Sequence, residues 1–359
     1  MAVEEKLFKE KGWVDKISNT AQCGGIETAV IDNGAARGTR IAWVNTGSGL
    51  RYKVVIDRGM DIVDAFFNNH SLAWISHGGI TAPQPFSDKG IGWLRTFAGG
   101  LLTTCGLAHV GGPESDETGD RGLHGLISNT PAELISIIQP DPVGGNYAMH
   151  ISGLMRESMV LGSKLELKRT ISGTLGKASI VIEDEVTNKG NLPAPHMMLY
   201  HLNFGWPLVD DGTELFWKGQ WASREGERAK IFREGVNFKK CLPPLEEHNG
   251  FGEEAVFIDA EVSADGLVHC GLINASLGIA VGIQYRKADF PCLTNWQHWG
   301  SKEYVTGLEP ATNFPIGQAR ARKENLLIFL APGETRKSKL ELFILTDKDE
   351  ISAFAGSSI

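Results

Sequence analysis

Apolar and polar positions alternate along this chain over short runs, and turn residues separate one run from the next. Lys164-Leu-Glu-Leu-Lys168 and Lys339-Leu-Glu-Leu-Phe343 alternate strictly, the period-two pattern of half-buried antiparallel strands. Runs rich in Val, Ile, Phe and Tyr predict further strands over 40–44, 52–56, 62–67, 133–138, 147–151, 164–171, 178–186, 267–273, 279–285 and 326–330. Most of the 43 glycines and 15 prolines fall between these runs, as in Asn45-Thr-Gly-Ser-Gly49 and Ala331-Pro-Gly-Glu334. Helical periodicity is weak; the first dozen residues and 224–234 are the best candidates. No long helix alternates with the strands, so a doubly wound fold or a βα barrel is disfavoured. The expectation is an all-β fold, a large antiparallel β-sandwich with few short helices. With no repeat or linker-like shift in composition, 1–359 reads as one domain, with 1–20 as an N-terminal extension.

Composition narrows the class of partner. The chain has 359 residues, 42% of them apolar and 22% charged, as in ordinary globular proteins. Its 35 basic and 43 acidic residues give a net charge of -8 without a basic stripe, so neither nucleic acid nor an anionic membrane is an expected partner. The charged N-terminus lacks the apolar core of a secretory signal, and no apolar run approaches the length of a membrane span. The five cysteines, Cys23, Cys105, Cys241, Cys270 and Cys292, are scattered and odd in number. They suit reduced thiols in a cytoplasmic protein better than a disulfide framework or a zinc site.

Several polar residues stand in apolar, glycine-rich sequence, where burial is costly unless they are paired or used. Arg58 lies in an Arg-Gly step between two strands; a turn with a surface ion pair is the plainer alternative. Arg95 carries the charge at the start of the glycine-dense segment Trp93–Leu107. His124 sits between glycines in Gly122-Leu-His-Gly125, after the acidic loop 113–121, with His109 a weaker candidate. His196 and His201 are five apart and therefore face opposite ways on a strand, whereas His201 and Asn203 share a face. Without an HxH or HExxH spacing, no metal site is expected. The segment Phe290–Tyr304, which includes Trp296 and His298, mixes aromatic surfaces with hydrogen-bonding groups, the combination a sugar requires. Glu309 lies in Gly307-Leu-Glu-Pro310, where Pro310 suits a strand end opening onto a cleft.

Gly122-Leu-His-Gly125, Leu199-Tyr-His-Leu-Asn-Phe-Gly205, Gly307-Leu-Glu-Pro310 and Leu330-Ala-Pro-Gly-Glu-Thr335 together resemble the motifs of the aldose 1-epimerase (galactose mutarotase-like) superfamily. The likeness is greatest to its bacterial branch of unknown function, of the DUF4432 type, and covers about 26–347. The resemblance implies a galactose mutarotase-like sandwich whose general acid matches His201 and whose general base matches Glu309. His124 and Arg95 match residues that hold the sugar near its ring oxygen. Asn203, Trp296, Arg58 and His248 complete the expected substrate-binding set. Asn203 and Phe204 stand in inverted order relative to the family's run, and Ala311 replaces its Gln. The family's sugar-binding aspartate has no matching motif; Glu246, Glu247, His248 and Asn249 lie in that region.

What the resemblance implies is interconversion of sugar anomers by acid–base ring opening. A small-molecule carbohydrate would be the partner, no cofactor is expected, and a homodimer is compatible with the sequence. There is no GxGxxG after a strand and no P-loop. A His–Glu pair would equally serve isomerisation of a keto-sugar or sugar acid, and a carbohydrate-binding protein without catalysis is the third reading. Arg58, Arg95, Arg121 and Arg322 are each candidates to meet an anionic substituent.

Overall fold

The computed structural model describes residues 15–84, 89–224 and 237–357. The candidate helix at the first dozen residues lies outside these, as does nearly all of the candidate over 224–234. The described chain is mostly antiparallel sheet, as the alternation predicts. Eight strands run in the order Glu214–Trp217, Val268–Asn274, Ile279–Tyr285, Thr335–Leu345, Ser179–Asn188, Lys164–Thr174, Ala148–Ser158 and Glu133–Ile138. A second sheet runs Gly219–Ser223, Glu254–Ala260, Cys292–Gly300, Glu303–Ala311, Ala194–Gly205 and Ile328–Leu330, and Thr103–Leu107 also pairs with Ala194–Gly205. Five strands between Gly25 and Ser71 form a third sheet in sequential order.

The inner faces of the two larger sheets meet in one apolar cluster. Leu165, Leu167, Ile180 and Ile182 come from one side, and Leu202, Leu293 and Leu308 from the other. A buried polar group ties the layers together. Arg169 reaches Asp184 at 2.7 Å and Asp61 at 3.3 Å, and the Tyr200 hydroxyl donates to Asp184 at 2.5 Å. Burying these charges is tolerable only because each is paired and hydrogen-bonded.

Two helices were not legible in the sequence: Gln318–Lys323 and Lys348–Ser357. The second turns Phe354 onto Phe216 and Phe343, which accounts for its docking. The acidic loop 113–121 is a hairpin, Glu114–Asp116 paired with Gly119–Arg121, because Arg121 forms ion pairs with both Glu114 and Asp116. No helix among the described residues is long and apolar enough to cross a membrane.

Ala194–Gly205 is the strand that positions the site. It is buried on both faces over almost its whole length. Tyr200, Leu202 and Phe204 point into the sandwich core, while Met197 and Leu199 face a second, covering layer to which Trp93, Val110, Leu123 and Ala321 contribute. A strand covered on both sides reads as a continuous apolar run, so the histidine within it is conspicuous.

Candidate active site

Strand register brings His201 and Glu309 together across a hundred residues of sequence. Leu199 lies opposite Ala311 and Leu202 opposite Leu308, which places position 201 across from position 309. On the far side of the Glu309 strand, Thr294 pairs with Glu309 and Trp296 with Gly307. Ala255 in turn pairs with Trp296. Alternate residues share a face, so His201, Glu309, Thr294, Trp296 and Ala255 look into one space. Gly307 gives that face its room: a Cβ there would stand 2.8 Å from Glu309 Oε1 and 3.4 Å from the Trp296 ring.

A cavity of about 740 Å³ opens over this face. Trp93 and Phe97 stack at 4.3 Å to form one wall, and Trp296 stands edge-on to His201 at 5.2 Å on the other. His124 enters from the covering layer on a left-handed backbone (φ 58°) next to Gly125 (φ 74°). Its N–H donates to Gly111 O and its carbonyl accepts from Gly106 N–H. The His124 ring packs on Trp93 at 4.9 Å and lies 6.0 Å from the His201 ring. Arg95, at the end of the 3₁₀ turn Gly92–Arg95, is exposed on the cavity rim.

His201 Nε2 and Glu309 Oε1 are 3.2 Å apart, and both side chains are almost wholly buried. Glu309 Oε1, Thr294 Oγ1 and His124 Nδ1 are buried without a hydrogen bond to any described residue. Unpaired buried polar atoms are rare and ask for an explanation; with His201 Nδ1 they gather on residues lining one cavity, which makes it the candidate site for a polar ligand.

Burial also sets the protonation states. It raises the Glu309 carboxyl to about 8; the Glu253 carboxylate adds to the rise and Arg224 opposes it. Burial lowers the His201 imidazole to about 4, offset in part by Asn203 and Glu253. His124 is held well below the usual imidazole range, first by burial and then by His201, His109 and Arg224. At neutral pH the site is therefore uncharged at its centre: His201 and His124 are neutral, and Glu309 keeps its proton.

Of the residues singled out in the sequence, His201, Glu309, His124, Arg95 and Trp296 line the cavity, as does His298. Three expected binding residues do not. Arg58 donates to Ser128 O, Thr81 O, Thr81 Oγ1 and Thr96 O, which occupies the guanidinium as a brace between three segments. His248 accepts the Trp299 N–H at 2.9 Å and is buried beneath the loop that follows it. Asn203 shares the His201 face but sits behind it, donating to the carbonyls of Gly100 and His201. Arg121 and Arg322 are engaged with the hairpin carboxylates. His196 faces away from the cavity and bonds Leu107 O, as the strand period requires.

Charged residues in the cavity that the sequence did not single out include Glu303 and, more centrally, Arg224 and Glu253. Arg224 and Glu253 form an ion pair, and Glu253 also accepts the Trp296 Nε1–H at 2.8 Å. Glu253 lies four residues beyond the Glu246–Asn249 stretch expected to supply a carboxylate. Its only signal is the flanking Gly250-Phe-Gly252 turn. Among the described residues no group of three or more His, Cys, Asp or Glu side chains is placed to hold a metal ion.

The antiparallel sandwich that carries this cavity is a galactose mutarotase-like fold. The chain belongs to the DUF4432 family, a domain of unknown function, which matches residues 36–344. A candidate aldose 1-epimerase from Klebsiella pneumoniae subsp. pneumoniae MGH 78578 superposes with a TM-score of 0.83 at 22% identity, over 94% of this chain and 89% of that one. A galactose mutarotase-like protein from Clostridium acetobutylicum gives 0.62 at 13% identity, over 90% and 99%. Galactose 1-epimerase from Lactobacillus acidophilus NCFM gives 0.56 at 11%, over 89% and 98%. At these identities the likeness establishes the fold. No curated protein matches the sequence.

Proposed function

We propose that this protein interconverts the anomers of an aldose by acid–base opening of the hemiacetal ring. The observation that carries this reading is the His201–Glu309 pair, 3.2 Å apart at the floor of the cavity, whose acidities leave it one proton across the neutral range. Anomer exchange removes a proton from the C1 hydroxyl and adds one to the ring oxygen, then reverses both after rotation about C1–C2. A pair holding one proton supplies both halves with no net change.

Starting from the neutral pair, His201 Nε2 takes the C1 hydroxyl proton and Glu309 delivers its own to the ring oxygen. Ring closure runs with the roles exchanged. This starting polarity is opposite to the one the motif resemblance implies, with Glu309 as base, but over a full cycle each group serves in both capacities. Each such group is worth roughly 10²- to 10⁴-fold in rate. His124, neutral and with a free Nδ1, is placed to bond the substrate beside the reacting atoms. Trp93, Phe97 and Trp296 offer apolar walls to the C–H faces of a sugar, and Arg95 at the rim suits outlying hydroxyls or an anionic substituent.

The test is polarimetry on freshly dissolved pure anomers, with wild type, Glu309→Gln and His201→Asn. Loss of catalysis in both variants with the fold intact supports the assignment, and retention in either one removes it. Following the same reactions by NMR separates anomer exchange from isomerisation of a keto-sugar or sugar acid, which would give new carbon skeleton resonances.

A further inference from the structure

Arg224 and Glu253 are charged residues of the cavity that the mechanism does not use, and unlike Glu303 beside them they are paired with each other. They come from separate parts of the chain: Arg224 follows the strand Gly219–Ser223, and Glu253 follows the turn Gly250-Phe-Gly252. That turn is tightly specified. Gly250 has φ 74°, and a Cβ on Gly252 would stand 2.0 Å from Glu247 O and 2.5 Å from His248 Cα. The backbone can therefore pass close over the 3₁₀ turn Glu246–His248 and present residue 253 to the cavity. His248 is anchored to Trp299 N–H, and His298 Nδ1 bonds Gly252 O, so the turn is held from two sides.

What Glu253 touches is specific. One carboxylate oxygen pairs with Arg224 and the other accepts the Trp296 indole N–H at 2.8 Å. A charge-assisted bond of this kind fixes the direction of the indole ring. The ring presents its neighbour His201 with an edge contact at 5.2 Å and 74°, and stacks on His298 at 6.2 Å and 10°. Among the described residues, the charged and titratable groups around Glu253 include Arg224 from the preceding strand end, Glu309 and Glu303 from the Glu303–Ala311 strand, His298 beside Trp296, His248 below the turn and His201 across the cavity.

We propose that Glu253 is a positioning residue: paired with Arg224, it holds Trp296 against His201 and keeps a fixed negative charge beside Glu309. The inference rests on His201 and Glu309 as the proton-transfer pair, and Glu253 acts on that pair without handling the transferred proton. A negative charge beside a buried carboxyl favours its protonated form, so Glu253 helps keep on Glu309 the proton that the ring oxygen receives. Arg224 opposes that effect and thereby limits it, consistent with the directions in which the two residues move Glu309.

Two variants separate the two actions. Glu253→Gln keeps an oxygen for the indole N–H and removes the charge; Glu253→Ala removes both. The first readout needs no sugar. The Trp296 Nε1–H resonance, assigned with Trp296→Phe, should stay downfield in Glu253→Gln and move toward the solvent-exposed position in Glu253→Ala. The titration of Glu309, followed through the His201 ring resonances, should fall by about half a unit to one unit in both variants. With a turned-over sugar, the alkaline limb of kcat/KM should fall by the same amount, and Glu253→Ala should lose a further fivefold or more in kcat.

An indole resonance unmoved in Glu253→Ala, or a Glu309 titration unmoved in Glu253→Gln, overturns the proposal. So does a rise in KM with kcat and the pH limb unchanged, which would make Glu253 a sugar ligand. If the sugar-free shifts occur as expected and no aldose is turned over by wild type, the positioning role stands and the proposed function fails.

Discussion

Replacing Glu309 with Gln tests the electrostatics of the site apart from any catalysis. The carboxyl is lifted from 4.5 to about 8, chiefly by burial. Between those values the unfolded chain carries an ionised glutamate while the folded chain keeps its proton. The folded state thus binds the extra proton, and stability is fully present below pH 4.5 and lost as pH rises through about 8. Each unit of displacement is worth about 1.4 kcal/mol, so a displacement of about 3.5 units amounts to roughly 5 kcal/mol across the window. Gln has nearly the same shape and no charge to bury. Urea denaturation of wild type and variant at pH 5, 6.5, 8 and 9 should therefore give a stability difference that moves in the variant's favour with rising pH and levels off above about 8. His201 is present in both proteins and its own titration largely cancels from the difference. Curves that run parallel from pH 5 to 9 would show that Glu309 titrates as an ordinary carboxylate, and the charge state assigned to the pair would be wrong.

The same acidities predict a flat pH optimum for kcat/KM, rising through about 4 as His201 loses its proton and falling through about 8 as Glu309 does; a profile without an alkaline limb would contradict it. Gly307→Ala should displace the Glu309 carboxylate, because the added Cβ stands 2.8 Å from Oε1. It should reduce kcat by roughly 10²-fold for only about 1 kcal/mol of stability, measured by kinetics and denaturation on the same sample. Arg58→Met should do the reverse, removing about 2–4 kcal/mol by stranding carbonyls of Thr81, Thr96 and Ser128 while leaving KM within about twofold. An unchanged stability would return Arg58 to the list of ligand-facing arginines.

The sandwich was readable because its strands alternate or carry β-branched runs between glycine turns, and 133–138 and 279–285 fall on observed strands residue for residue. His201 and Glu309 were readable for the opposite reason: each interrupts an apolar strand where a polar side chain is costly. That cost does not distinguish a ligand-facing group from a satisfied one. Arg58 and His248 look the same in sequence as Arg95 and His124, and only the partners of the first two show that they are braces. Arg224 and Glu253 were illegible because their position depends on strand order and on a turn. Nothing in their own neighbourhoods says that 224, 253 and 296 converge.

Two-dimensional exchange NMR on equilibrated aldoses, with the protein in catalytic amount at pH 6 to 7, reads ring opening by the His201–Glu309 pair as it occurs. Cross-peaks between the α and β anomeric protons of at least one aldose are expected in the presence of wild type, and their loss with Glu309→Gln. Exchange no faster than in buffer for every aldose tried, or equal exchange with wild type and Glu309→Gln, would contradict ring opening by that pair.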